Sequence, residues 1–310
     1  MKAVLARSYG GPEVLSIEEV EKPQPKKNEV LIKVHAASLN SGDVRMRALD
    51  AGPGFKGFMS RGIIRMMFGL RKPRSIQGNV LAGEVVKVGS EFDRFKVGDE
   101  VMAMTGLNFG AFAEYCVLPA KRAIALKPEK ASFEEASALP FGGNTALYFL
   151  HKAGLADGKS VLIYGATGAV GSSATQISRN YGAKVTAVAG PDGTAMAKKL
   201  GATQVYDYTK TSPEKIEGTF DIVFDAVGKL PKKNASHLIA EGGEYITVNS
   251  LDVAKELSQD LEELAVMYDE GKLDACIDKT YDLKDIVEAS RYVDAGRKKG
   301  NVIIKISGGK

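Results

Sequence analysis

The 310-residue sequence contains two cysteines, three histidines and no tryptophan. Cys116 and Cys276 lie 276 − 116 = 160 positions apart, so they form neither a disulfide framework nor the paired-cysteine spacing of a structural zinc site. His35, His151 and His237 are equally scattered, and we interpret each as a packing or surface residue. The sequence therefore predicts no metal site.

Long apolar runs and a strong net charge are also missing. No apolar stretch approaches the roughly 20 residues of a membrane span, and the first eight residues, Met1–Ser8, lack the apolar core of a signal peptide. We therefore expect a cytoplasmic protein with reduced thiols. The net charge of +4 (42 basic and 38 acidic residues) is slight and argues against a dedicated nucleic-acid binder.

The composition is otherwise that of a globular chain, with 44% hydrophobic and 26% charged residues, and its length suits about two domains. The chain is β-rich with many turns to about residue 120. From about residue 133, apolar runs of strand length alternate with helical segments, which favours a parallel βαβ sheet. A helix from about Leu261 and strands near 277–281 and 301–306 follow. We expect a β-rich domain at 1–124, a dinucleotide-binding domain at 125–258, and a return to the first domain at 259–310.

A glycine-rich turn gives the strongest local signal. The apolar run Val161–Tyr164 leads into glycines spaced by three and then into an amphipathic segment. In a strand–turn–helix unit, such glycines let the backbone approach a pyrophosphate and let the helix pack closely on the strand. The helix N-terminus then attracts the phosphates. The predicted cofactor-binding residues of this turn are Gly165, Ala166, Thr167, Gly168, Ala169, Val170 and Gly171.

The second strand of the unit indicates which dinucleotide binds. It ends at Ala189-Gly190, where NAD-binding proteins place an acidic residue on the ribose. Without that carboxylate, the sequence favours NADP(H), and NAD(H) remains possible because Asp192 follows two residues later. Tyr208, after the third strand, is predicted to lie against the adenosine phosphate.

The segment Phe55–Arg71 combines apolar residues, several of them methionine, with three arginines. Three interpretations remain open: a cover or lid packed on its own domain, which is favoured; a wall of the substrate site; or contact with an anionic membrane, which is the least favoured.

Several motifs together resemble a known family over essentially the whole chain. They are Phe95-Lys-Val-Gly-Asp-Glu-Val101, Gly110-Ala-Phe-Ala-Glu-Tyr115, Ala138-Leu-Pro-Phe-Gly-Gly-Asn-Thr-Ala146, the glycine turn, Phe224-Asp-Ala-Val-Gly228 and Gly296-Arg-Lys-Lys-Gly-Asn-Val302. The chain resembles the zinc-free, quinone oxidoreductase-like branch of the medium-chain dehydrogenase/reductase superfamily. The resemblance implies an α/β fold: a Rossmann-type doubly wound parallel sheet inserted into a β-rich GroES-like domain, with the active site in the cleft.

The resemblance also implies a reaction. Zinc-dependent relatives carry Cys where this chain has Asn40 and His where it has Asn79. Without a Lewis acid, a quinone or α,β-unsaturated carbonyl is the better hydride acceptor. Asn40 would then lie near the nicotinamide and substrate (or merely cap a turn) and Thr145 near the carboxamide, while Ala226 and Val227 would line the cofactor site. Action on another carbonyl or alcohol, or a non-catalytic NADP-binding scaffold or sensor, are the alternatives.

Two departures from the family matter. Gly190–Gly193 replaces the Ser, Thr and Arg residues that hold the 2′-phosphate in many relatives, and Lys210, Arg297 and Lys298 are candidate substitutes. Relatives also continue the sheet with a sixth strand that pairs two subunits, whereas residues 251–258 do not have the pattern of a buried strand. We therefore expect five strands and either a monomer or a non-standard dimer.

Overall fold

The computed structural model describes residues 1–50, 54–73, 76–250 and 252–306, without the side chains of 54–58, 60 and 63. The strands, in chain order, are β1 Lys2–Ala6, β2 Leu15–Glu19, β3 Glu29–Leu39, β4 Val80–Val88, β5 Glu100–Met104, β6 Tyr115–Pro119, β7 Ile124–Leu126, β8 Ser160–Tyr164, β9 Lys184–Ala189, β10 Gln204–Asp207, β11 Phe220–Asp225, β12 Ile239–Thr247, β13 Ile277–Asp282 and β14 Asn301–Lys305. The α-helices are α1 Ser41–Ala48, α2 Gly54–Phe68, α3 Phe133–Lys152, α4 Ala169–Asn180, α5 Thr194–Lys199, α6 Lys232–Ala235, α7 Ser258–Asp269 and α8 Ile286–Asp294.

The chain divides into two compact units, one formed by Met1–Ala138 and Ile277–Lys310 and the other by Leu139–Cys276. The boundaries fall 14 and 18 residues after the expected positions 124 and 258. The second shift arises because α7 packs within the second unit. A Cβ at Gly143 of α3 would lie 2.5 Å from the Leu264 side chain of α7, so these two helices are in direct contact.

The first unit is β-rich, as the sequence predicts. Seven strands form a sheet in the order β13-β14-β3-β4-β5-β7, with β6 paired to β3. All of its pairs are antiparallel except β13 with β14. Ile286, Ala289 and Val293 recur at helical spacing along α8, and this buried face completes the core of the sheet.

The second unit contains the parallel sheet, with five strands in the order β10-β9-β8-β11-β12. The middle residues of β8, Val161–Ile163, are fully buried, which explains why the central strand is uniformly apolar. The expectation of five strands is confirmed. Strand β12 begins at Ile239, six residues before the apolar run Tyr245–Val248 that the sequence suggests, because its first part pairs with β11 across a register shift.

Helix α1 begins at a capping box. The Asn40 side-chain oxygen accepts the N–H groups of Gly42 (2.8 Å) and Asp43 (3.3 Å), and the Asp43 carboxylate accepts the Asn40 N–H at 3.0 Å. Asp43 is buried. Burial raises the pKa of Asp43 from 3.8 to about 7, although the Asn40 N–H lowers it in part. The Arg47 charge and the Asn79 backbone N–H also lower this pKa in part.

Helix α2 occupies most of the segment Phe55–Arg71. The side chains of Phe55, Phe58 and Ile63 lie outside the described residues. Among the described helices of the chain, none combines the length and the apolar character that crossing a membrane requires.

The raised pKa of Asp43 predicts a pH-dependent stability. The folded state holds a proton on Asp43 between about pH 4 and pH 7, where the unfolded state has lost it, so stability falls as pH rises through this range. Asp43→Asn keeps an acceptor for the cap and removes the ionisation. Between pH 5 and pH 8 we expect the wild type to lose stability relative to the variant, on the order of 2 kcal/mol.

Urea unfolding midpoints at the two pH values measure this difference. Asp93→Asn, at an exposed carboxylate, is the control and should keep the pH dependence of the wild type. A parallel pH dependence in wild type and Asp43→Asn would show that Asp43 ionises normally in the folded state.

Candidate functional site

The glycine turn between β8 and α4 has the tight geometry expected from its spacing. Gly165 has a φ of +81°, and a Cβ there would lie 2.4 Å from the Val227 side chain. A Cβ at Gly171 would lie 2.1 Å from the Gly165 carbonyl oxygen. Only a glycine permits this approach, so the close packing of α4 on the turn, predicted from the sequence, is confirmed.

Gly168 differs from both of these glycines. A Cβ at this position would meet no atom closer than the Gly165 carbonyl oxygen at 3.7 Å, and its φ and ψ of −78° and 175° suit any residue. It is the N-cap of α4 and supplies no side-chain cap to the first turn. The open space at Gly168 and the helix N-terminus beside it therefore fit the pyrophosphate of a dinucleotide.

The end of β9 lies beside this turn. Thr167 approaches within 2.8 Å of the position that a Cβ of Gly193 would occupy. The Tyr208 N–H donates to the Ala189 carbonyl at 3.0 Å, and the Tyr208 ring lies against Gly190 while remaining 53% exposed. The structure thus brings the predicted turn residues together with Ala189, Gly190 and Tyr208. Ala166, Ala169 and Val170 are buried and contribute backbone and packing to this surface.

The charged residues that the sequence suggests as ligands of the adenosine ribose or its 2′-phosphate lie in both units. Asp192 is exposed in the short 3₁₀ turn Pro191–Gly193 after β9. The Lys210 side chain is exposed, and its Nζ lies 3.8 Å from Oδ2 of Asp207. Lys298 belongs to the other unit, where its ammonium group donates to the Gly300 carbonyl at 2.6 Å, and burial lowers its pKa to about 8.

Asp225 builds the turn that carries Ala226 and Val227. Its Oδ1 accepts the N–H groups of Gly228 (2.9 Å) and Lys229 (3.1 Å), and its Oδ2 accepts the Leu230 N–H (3.1 Å). The side chain is fully buried at the end of β11. The sequence marks this residue only as part of a family motif, although an acidic residue before a glycine-containing turn is a recognisable signal for such a role.

Thr145 lies on α3, and its hydroxyl donates to the Phe141 carbonyl of the same helix at 2.7 Å. Its neighbours have packing roles that the sequence does not reveal. A Cβ at Gly142 would lie 2.3 Å from the Ala169 carbonyl, so α3 contacts the N-terminus of α4 directly. Asn144 is buried, and its amide donates to the Lys255 carbonyl at 2.9 Å. This part of α3 therefore supports the first turn of α4.

In the first unit, Asn40 and Asn79 form an amide pair. The Asn40 oxygen is held by the N–H groups of α1, so its nitrogen faces Asn79 and donates to Oδ1 of that residue at 2.6 Å. The Asn79 nitrogen consequently points away from Asn40, and Asn79 is half-buried. Asn40 is 1% exposed and acts as the helix cap that the sequence allowed as its alternative role.

These residues do not fit a zinc ion. The family resemblance implies Cys and His at the positions of Asn40 and Asn79 in zinc-dependent relatives, whereas this chain has two amides that are hydrogen-bonded to each other. Within the described parts of the chain, no three His, Cys, Asp or Glu side chains are grouped as a metal site would require.

Comparisons with known proteins agree with the two-part organisation. Residues 26–128 match the family described as alcohol dehydrogenase GroES-like domain, and residues 169–286 match the family described as zinc-binding dehydrogenase. The 2-methylene-furan-3-one reductase of Solanum lycopersicum is 35% identical, covering 98% of this chain and 79% of that protein. The chloroplastic NADPH-dependent alkenal/one oxidoreductase of Arabidopsis thaliana is 32% identical with the same coverage.

A solved structure extends this likeness to the fold. The quinone oxidoreductase from Coxiella burnetii superposes with a TM-score of 0.89 at 29% identity, covering 99% of both chains. The protein is an oxidoreductase of the medium-chain dehydrogenase/reductase superfamily, in its quinone oxidoreductase-like branch.

Proposed function

We propose that this protein reduces a quinone or an α,β-unsaturated carbonyl with NADPH, without a catalytic metal ion. The observation that carries the proposal is the Asn40–Asn79 amide pair, which stands at the positions of two zinc ligands in the metal-dependent relatives. A conjugated acceptor spreads the charge that hydride addition creates, so it needs no Lewis acid. The Arabidopsis relative, named for alkenal and enone reduction with NADPH, supports the same chemistry.

The glycine turn of the second unit holds the cofactor in this proposal. When bound, NADPH supplies the hydride. The backbone at Gly168 and the first turn of α4 bind the pyrophosphate, and Val227 and Ala226 border the turn from the end of β11. Thr145 contacts the nicotinamide carboxamide.

The preference for NADPH rests on the end of β9. Ala189 and Gly190 place no carboxylate where the adenosine ribose is bound in NAD-dependent proteins, so a 2′-phosphate meets no repulsion there. Tyr208, exposed against Gly190, offers its ring and hydroxyl to this group. Asp192 is exposed and two residues further on, where solvent screens its charge.

Asn79, rather than Asn40, donates to the substrate carbonyl. Asn40 is buried, and its oxygen is committed to the cap of α1. The bond from Asn40 occupies Oδ1 of the half-buried Asn79 amide, so in this proposal the Asn79 N–H groups are the donors for the substrate. Asn40 is then a positioning residue that acts through Asn79.

The expected association state is a monomer, or a dimer that does not use the sixth-strand edge of the relatives. Strand β12 is the edge of the five-stranded sheet, and no strand in the described residues follows it there.

The first test is the oxidation of NADPH and NADH with a soluble ortho-quinone in the presence of EDTA. We expect kcat/KM for NADPH to exceed that for NADH by about tenfold or more, since a 2′-phosphate site discriminates by at least about 1.4 kcal/mol. EDTA should leave both rates unchanged. A preference for NADH would indicate that Asp192 binds the adenosine ribose, and inhibition by EDTA would contradict metal-free chemistry.

Two glycine variants separate cofactor binding from packing. Gly168→Ala adds a methyl group in open space, so stability should stay within about 0.5 kcal/mol, while the NADPH Kd rises roughly tenfold or more because the methyl group blocks the pyrophosphate. Gly171→Ala overpacks the turn and should cost about 1–3 kcal/mol of stability. Fluorescence titration and urea unfolding measure the two quantities. Wild-type affinity in Gly168→Ala would place the pyrophosphate elsewhere.

The role of Asn79 is tested by Asn79→Ala. Loss of one hydrogen bond to the substrate should lower kcat/KM for the quinone about tenfold, with the NADPH Kd unchanged. Asn108→Ala, at an exposed asparagine of the same unit, should retain kcat/KM within about twofold. Wild-type kcat/KM in Asn79→Ala would remove Asn79 from the substrate site.

A further inference from the structure

A group of exposed apolar side chains lies on and just after α2. Met59 is 53% exposed, Met66 71%, Met67 57% and Leu70 69%. We call these four residues the Met59–Leu70 face. Twelve large apolar side chains are exposed in the described part of the chain, and four of them fall within these 12 residues. The favoured expectation, a cover or lid packed on its own domain, does not explain why these four side chains are exposed.

The opposite side of α2 holds the helix against its unit. Phe68 and Ile64 are half-buried, and the Phe68 ring meets Phe109 edge-on with ring centroids 5.7 Å apart. The Tyr9 hydroxyl donates to the Gly69 carbonyl at 2.9 Å, just after the end of the helix. Met59 and Met66 are seven residues apart and so share one side of the helix. Helix α2 is thus anchored on the side of Phe68 and presents Met59 and Met66 on another side.

The charges of this segment all have one sign. Residues 54–72 contain five basic residues and no acidic residue, and the nearest acidic residues along the chain are Asp50 before them and Glu84 after them. Arg65, Arg71 and Lys72 are exposed beside the Met59–Leu70 face. This exposed basic rim is complementary to an anionic surface.

We propose that α2 docks this protein on an anionic lipid bilayer surface. An apolar helix side flanked by basic residues lies in the plane of a membrane, with the apolar side chains among the acyl chains and the cations at the phosphates. Unbranched, polarisable methionine side chains adapt to such a fluid surface. The docking needs no turnover, so its failure would leave the proposed reductase activity untouched.

Co-sedimentation with vesicles tests the proposal on the full chain. We expect binding to vesicles of phosphatidylcholine and phosphatidylglycerol (3:1), no binding to phosphatidylcholine alone, and release of the bound protein by 0.5 M salt. Arg65→Gln with Arg71→Gln should weaken the partition coefficient roughly 25-fold, at about fivefold per charge. Met66→Gln with Met67→Gln should weaken it about tenfold or more. All four positions are exposed, so unfolding midpoints should not change.

Matched controls on the second unit exclude a general charge or hydrophobic effect. Lys232→Gln with Lys233→Gln removes two exposed charges on α6, and Val266→Gln removes one exposed apolar side chain on α7. Both should bind within about twofold of wild type. Equal losses in the α2 and α6 charge variants, or no binding to the anionic vesicles in 50 mM salt, would overturn the proposal. So would a dimer detected by light scattering that Met66→Gln with Met67→Gln dissociates, because the face would then bind a second copy.

Discussion

The glycine turn of the second unit is fixed by one close approach, that of the Gly171 backbone to the Gly165 carbonyl oxygen. A single methyl group at residue 171 would lie 2.1 Å from that oxygen, so the start of α4 is fixed directly on the turn that ends β8. A similar constraint applies to α3, because a Cβ at Gly142 would lie 2.3 Å from the Ala169 carbonyl oxygen. With its first turn held from two sides, α4 presents its N-terminal amides at Gly168, where the space is open. Tight packing around an open position is what allows a rigid backbone surface to bind a phosphate without a charged side chain.

In the first unit, the cap of α1 has a similar effect on the Asn40–Asn79 pair. The Asn40 side-chain oxygen accepts hydrogen bonds from the first N–H groups of α1. The Asn40 nitrogen is therefore the atom that contacts Asn79, where it donates to Oδ1. In the proposed function, this hydrogen-bonded amide pair takes the place of two metal ligands. The cap also buries Asp43, and the energetic cost of a desolvated carboxyl group appears as its raised pKa. The cap of α1 therefore determines how the Asn40 and Asn79 amides are oriented in the candidate substrate site.

Features encoded by neighbouring residues could be predicted from the sequence. The strand, glycine spacing and amphipathic pattern from residue 161 to 181 specify the strand–turn–helix unit, and the absence of a strand pattern at 251–258 correctly predicts five strands. Features that depend on contacts between residues far apart in the chain could not be predicted from the sequence. Asn144 binds a carbonyl 111 residues away, and Gly143 matters because Leu264 of α7 packs on it. The exposure of Met66 and Met67 was equally inaccessible, because a helical pattern shows which residues share a side and not whether another element covers it.

A crystal structure of the protein with NADP⁺ tests the central claim most directly. The account predicts that the pyrophosphate lies over Gly168 at the N-terminus of α4, with the 2′-phosphate beside Gly190 and Tyr208. A dinucleotide whose phosphates avoid Gly168, or whose ribose is held by Asp192, would contradict it.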